Sequence, residues 1–132
     1  MGPGTGYTDG VRVLVADDEP HIRRILVTLL EASGLSVDAV ADGTSALDKL
    51  QGDTPYALAL LDIMMPGATG IEVLSRVRGT PHRNRLPVII LTAKGQDADR
   101  EEALRLGATD FLTKPFSPKK LLARIDRVLR HA

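Results

Sequence analysis

Four short apolar runs punctuate the chain: Val13-Leu14-Val15-Ala16, Ala57-Leu58-Ala59-Leu60-Leu61, Val88-Ile89-Ile90-Leu91 and Phe111-Leu112-Thr113. Each is bounded by polar turns, and runs this short read as strands buried on both faces, as in a parallel sheet covered by helices. Between them the apolar period lengthens. Ile22, Ile25, Leu26, Leu29 and Leu30 recur at helical spacing behind Pro20, whose missing N–H costs little in a first turn, and Gly34 is placed to end that helix. Leu35 to Ala41 alternates partially and predicts one more strand. Thr44 is a plausible N-cap for a short helix through Leu47 and Leu50. Ile71, Val73, Leu74 and Val77 predict a helix ending near Gly79, and GTPHRNRLP (79–87) reads as a polar, exposed loop. Asp97 to Leu106 predicts a helix carrying Ala98, Ala103, Leu104 and Leu106, the least apolar and least firmly packed of the set. Leu121, Leu122, Ile125, Val128 and Leu129 mark the last helix. Alternating β–α units of this kind predict a single doubly wound α/β domain with a five-stranded parallel sheet flanked by five helices.

Composition narrows the class. At 132 residues the chain makes one domain with one sizeable core, and 17 basic residues balance 17 acidic ones. Whole-chain charge therefore predicts neither a nucleic-acid binder nor a membrane-surface protein. Its distribution is uneven. Through Ser75 there are four basic and eleven acidic side chains; from Arg76 onward, thirteen and six. The absence of cysteine fits a reducing cytoplasm, the expected location. No apolar stretch approaches the ~20 residues of a membrane span. Met1 to Gly10 (MGPGTGYTDG) is read as a flexible leader, leaving 11–132 as the folded domain.

Polar residues stand at the carboxyl ends of the buried runs: Asp17 and Asp18, Asp62, Thr92 and Lys114. In open α/β sheets ligands bind in the crevice beyond those ends. Carboxylates grouped there repel one another unless a cation sits among them, so a hard divalent metal is expected, Mg²⁺ with Mn²⁺ as the alternative ion. A carboxylate beside Mg²⁺ can attack phosphorus to form an acyl phosphate, with an ammonium such as Lys114 and a hydroxyl such as Thr92 pairing with the phosphoryl oxygens. Asp62, on the middle of the three strands reaching the pocket, is the expected nucleophile. Each residue also has a plainer reading: Asp17 or Asp18 as a helix cap, Asp62 as turn chemistry, Thr92 as a strand residue, Lys114 as a solvated cation. Met64 and Met65 read as loop-packing residues, and His21, His82 and His131 are too scattered for metal ligation.

The segments VLVADDEP, LALLDIMMPGATG, VIILTAKG and GATDFLTKPF resemble, in order and over about Val11 to Leu129, the receiver domain of two-component response regulators. The resemblance implies a flavodoxin-like fold with sheet order 2-1-3-4-5. It implies Asp62 as phosphoacceptor, Asp17 and Asp18 as metal-site acids, the backbone carbonyl of Met64 as a further metal ligand, and Thr92 and Lys114 as the groups gripping the phosphoryl. It also implies a cis Lys114–Pro115 bond and places Phe111 at an aromatic switch position, turning inward when Thr92 moves toward the phosphoryl group. The surface of the fourth helix, fifth strand and fifth helix would then change. Thr69 stands where an acid is frequent, with no evident effect on the chemistry. Met64 and Lys94 flank the route of an attacking water and neither can orient it, so slow self-dephosphorylation is expected.

The partners implied are a histidine kinase or phosphotransfer protein, read through the first helix and the loop after the fifth strand (His21, Ile22, Ile25, Ser117), and a downstream output domain or protein. The domain itself is expected to bind neither nucleic acid nor membrane. Lys120, Arg124, Arg127 and His131 share one face of the last helix. They read as a solvated stripe or as a surface for an acidic partner or a phosphorylation-dependent homodimer, although Lys120 stands where such receivers usually carry a dimer-bridging acid. The enzyme alternative is an Mg²⁺-dependent phosphatase of the haloacid-dehalogenase type. That chemistry wants a second acid two residues beyond the nucleophile, where this chain has Met64. A flavin carrier would need a phosphate-cradling loop where Asp17-Asp18-Glu19 would repel the phosphate.

Overall fold

The alternation written into the sequence becomes a strict β–α succession in the computed structural model, which describes residues 10–93 and 95–131. In chain order the elements are β1 (Arg12–Ala16), α1 (Pro20–Ala32), β2 (Ser36–Val40), α2 (Gly43–Gln51), β3 (Tyr56–Asp62), α3 (Gly70–Arg78), β4 (Val88–Thr92), α4 (Asp97–Arg105), β5 (Asp110–Thr113) and α5 (Pro118–His131). The strands are parallel and ordered β2-β1-β3-β4-β5. Successive strand side chains point to opposite faces, so the apolar runs feed two cores. Leu14, Leu61 and Ile90 pack with Ala46, Val73, Leu74 and Ala103 beneath α2, α3 and α4. Val13, Val15, Leu60, Ile89 and Leu91 pack with Leu26, Leu30, Leu121 and Ile125 beneath α1 and α5. Each fully buried leucine in these layers contributes roughly 1.5–3 kcal/mol relative to an exposed one. The predicted leader, Gly10 apart, lies outside the described residues, as does Lys94. Among the described residues no helix is long and apolar enough to cross a membrane.

Several local expectations need correction. β5 is not buried on both faces: it is an edge strand, and only Leu112 of its four residues is fully covered. Asp42, not Thr44, caps α2, its carboxylate accepting the Ser45 N–H at 2.7 Å. The helix starts at Gly43 because that residue lies backbone to backbone against the loop after β3; its N–H donates to Pro66 O at 3.0 Å, and a Cβ there would run into the Ala68 carbonyl. Thr69 caps α3 in a reciprocal box with Glu72, each accepting the other's N–H at 3.1 Å. The 79–87 loop is not wholly exposed. Arg83 and Leu86 are buried, and Arg83 donates to Leu50 O (2.9 Å) and Gly52 O (2.7 Å) with its guanidinium 5.3 Å from the Tyr56 ring centroid. The end of α2 leaves carbonyls without helical donors, and this arginine supplies them. Leu104, counted with the apolar residues of its helix, is exposed, and so is Ile25, one of the residues expected to be read by a partner. Met65 packs into the core as expected, whereas Met64 is 60% exposed. The basic face of α5 is partly neutralised within the chain: Arg124 and Arg127 hold the two Asp110 oxygens at 2.9 and 2.7 Å. The His131 side chain lies outside the described residues.

Candidate functional site

Because β1, β3 and β4 are neighbours in one parallel sheet, their carboxyl ends open on the same edge, and each ends at a polar residue. Asp17 follows β1 and is fully buried; Asp62 ends β3 at 5% exposure; Thr92 ends β4 at 2%. Lys114 follows β5, and the Lys114–Pro115 peptide bond is cis. Its Nζ lies 2.9 Å from Asp17 Oδ2, 3.1 Å from Glu19 Oε1 and 3.2 Å from Asp62 Oδ2. One carboxylate oxygen from each of Asp17, Asp18, Glu19 and Asp62 lies within 4.8 Å of the others. The turn carrying the first three acids is tied down locally. Asp17 Oδ1 accepts the Glu19 N–H at 2.9 Å, and Arg23 Nη1 on α1 donates to Asp17 O at 2.8 Å. Asp17 thus orders the turn before α1 but does not cap the helix, whose N-cap is Glu19 without a side-chain bond.

Among the described residues one ammonium, paired with three of these four carboxylates, faces the cluster, an imbalance that costs energy where the acids are buried. Burial raises the pKa of Asp62 from an ordinary 3.8 to about 6; Lys114 opposes the rise, and Asp17 reinforces it. For Lys114 burial works downward, but Asp17, Asp62 and Glu19 outweigh it, and its pKa is raised. Asp17 Oδ2 is buried and accepts no hydrogen bond of good geometry, although Lys114 Nζ lies 2.9 Å away. A buried anionic oxygen whose near partner is an ammonium shared with two other carboxylates, inside a set of hard oxygen donors, is what a small divalent cation satisfies. The residues present therefore fit a hard divalent ion.

The remaining expected site residues lie around this cluster. Thr92 Oγ1 is bonded to Thr113 Oγ1 at 3.2 Å, not to a carboxylate. Phe111 is half-buried against the core beneath α2, α3 and α4, with the Arg100 guanidinium 4.7 Å from its ring centroid. Met64 lies in the loop beyond Asp62 with its side chain in solvent.

A model of the response regulator receiver domain matches residues 13–126. The chain belongs to the response regulator receiver domain family. It is 40% identical over 126 residues to the transcriptional regulatory protein ResD of Bacillus subtilis, covering 95% of this chain and 50% of that protein. It is 43% identical over 121 residues to the CpxR homolog of Haemophilus influenzae, covering 92% and 51%. The receiver domain of Francisella response regulator 1452 superposes with a TM-score of 0.82 at 34% identity, covering 92% of this chain and 98% of that one. The chain spans about half the length of the curated relatives it matches. Nothing in these likenesses supports the phosphatase alternative.

Two members of this receiver's pocket escaped the sequence reading. Glu19 was visible as the third of three consecutive acids, but nothing in the order of residues said that it would share Lys114. Thr113 carried no signal, since threonine is common in strands; only the pairing of β4 with β5 brings it to Thr92.

Proposed function

We propose that this receiver is a phosphorylation-activated switch of a two-component system, in which Asp62 attacks a phosphohistidine and takes its phosphoryl group as an acyl phosphate. The N–P bond of the donor breaks as the O–P bond to Asp62 forms, and the imidazole leaves with the electron pair. The observation that carries this reading is the convergence of Lys114 and four carboxylates at the ends of β1, β3 and β5. Asp17, Asp18, Asp62 and the Met64 carbonyl would hold Mg²⁺ or Mn²⁺, which supplies neutralisation of charge on the attacking and phosphoryl oxygens. Lys114 stays protonated through neutral pH, because its pKa is raised, and is placed to pair with an equatorial oxygen. Thr92 provides a hydroxyl donor. A phosphoryl group adds roughly −1.5 to −2 charge and new acceptor oxygens at neutral pH. Thr92 turning toward these lets Phe111 move inward and changes the α4–β5–α5 surface that a partner reads.

Residues 11–132 form the receiver unit. It acts on its own acyl phosphate, which it loses slowly, and not on other substrates. It works in the cytoplasm, with a cognate histidine kinase or phosphotransfer protein upstream and an output domain or protein downstream, and phosphorylation-dependent pairing of two receivers as one output. Incubation with a small phosphodonor and Mg²⁺ tests the reading. Wild type should gain one stable, hydroxylamine-sensitive phosphoryl group and Asp62→Asn none. Label on both proteins, or steady release of phosphate from many substrates, would overturn it.

A further inference from the structure

Thr92 and Thr113 are register partners across β4 and β5, so their side chains stand on the same face of the sheet, side by side. Their Oγ1 atoms lie 3.2 Å apart. The two hydroxyls differ in surroundings: Thr92 is 2% exposed, while Thr113 is half-buried. A buried hydroxyl needs a partner, and this is the hydrogen bond the Thr92 hydroxyl makes among the described residues. A threonine hydroxyl occupies one rotamer at a time and carries one hydrogen. While Thr92 donates that hydrogen to Thr113 it therefore cannot donate it to a phosphoryl oxygen. The backbone offers no escape, because the Lys114 N–H donates to Thr92 O at 2.6 Å and clamps the two strands together at this point.

We propose that Thr113 is a positioning residue that retains the Thr92 hydroxyl in the resting arrangement, so that the Thr92–Thr113 bond is surrendered when Thr92 engages a phosphoryl oxygen. The inference rests on the roles given above to Asp62 and Thr92. Its consequence is a bias on the switch. Removing the Thr113 hydroxyl leaves Thr92 unsatisfied in the resting state only, because in the phosphorylated state Thr92 has its new acceptor. Thr113→Val keeps the β-branched shape and deletes the partner, and so raises the free energy of one state and not the other.

Beryllofluoride with Mg²⁺, titrated into the intact chain and followed by amide chemical shifts, reads this bias as an affinity for the phosphoryl mimic. Thr113→Val should bind about five-fold tighter than wild type, Thr113→Ala should move in the same direction, and Thr113→Ser, which restores a hydroxyl, should return to the wild-type value. In a Thr92→Val background, where no hydroxyl remains to be retained, Thr113→Val should change nothing. A Thr113→Val affinity equal to or weaker than wild type, or a tightening that persists beside Thr92→Val, would overturn the proposal. Failure of wild type itself to bind the mimic would instead overturn the reading of Asp62, and this inference with it.

Discussion

Replacing Asp62 by asparagine should stabilise the metal-free domain at neutral pH, even though it removes the ion pair with Lys114. The reason lies in where Asp62 sits. Its carboxylate is nearly buried, and burial with Asp17 nearby raises its pKa from 3.8 to about 6 in spite of Lys114. Because the folded-state pKa lies above the unfolded one, the group favours the folded state fully below about pH 4, and that contribution is lost as pH rises through about 6. At about 1.4 kcal/mol per pH unit, the interval from 3.8 to 6 corresponds to about 3 kcal/mol. Asparagine carries no charge to bury, and Lys114 retains Asp17 and Glu19, so the variant should exceed wild type by about 1–3 kcal/mol above pH 7 in EDTA. Urea denaturation of both proteins from about pH 4 to about pH 8 measures the difference, in which the carboxylates outside the pocket cancel. Saturating Mg²⁺ should narrow or reverse the gap, because only wild type keeps all its metal-site acids. A difference between the two proteins that stays flat across this pH range in EDTA would refute the electrostatic account of the pocket.

Three further outcomes follow from named contacts. Thr69→Ala removes half of the capping box at the start of α3 and should cost about 1 kcal/mol in urea denaturation, with phosphodonor labelling unchanged. Arg78 donates to Gly107 O (3.1 and 2.7 Å) and Leu86 O (2.7 Å), joining α3 to the end of α4. Arg78→Met should cost about 1–3 kcal/mol and speed amide hydrogen exchange in α4 more than in the sheet. Met64→Asn places an amide where a water would approach the phosphoryl group, and should shorten the half-life of labelled protein several-fold. An unchanged decay would remove Met64 from any account of that lifetime.

How much of this was legible beforehand differs by element. β1, β3 and β4 were plain as apolar runs because a central parallel strand is covered on both faces, which forces every position to be apolar. β5 has the same composition but lies at an edge, and nothing in Phe111-Leu112-Thr113 records that. Arg83 read as part of a polar loop, yet it is buried because the end of α2 presents carbonyls that need donors. Thr44 read as the cap of α2, but Gly43 packs against the loop after β3 and the cap falls to Asp42. The basic stripe on α5 looked continuous along its helix, and only Asp110 at the start of β5 shows that Arg124 and Arg127 already have a counter-charge.

The sequence by itself determined the order of elements, the chemistry of the strand ends and the family, because strand period, turn residues and the acids after each apolar run are local properties of the chain. Tertiary structure decided how those groups share one another. Lys114 serves three carboxylates, the buried Asp17 Oδ2 must share that ammonium, and Thr92 is held by Thr113. These facts depend on sheet order and register, which bring together residues far apart in the chain. The electrostatic strain of the pocket and the resting partner of its hydroxyl exist only after β1, β3, β4 and β5 have paired.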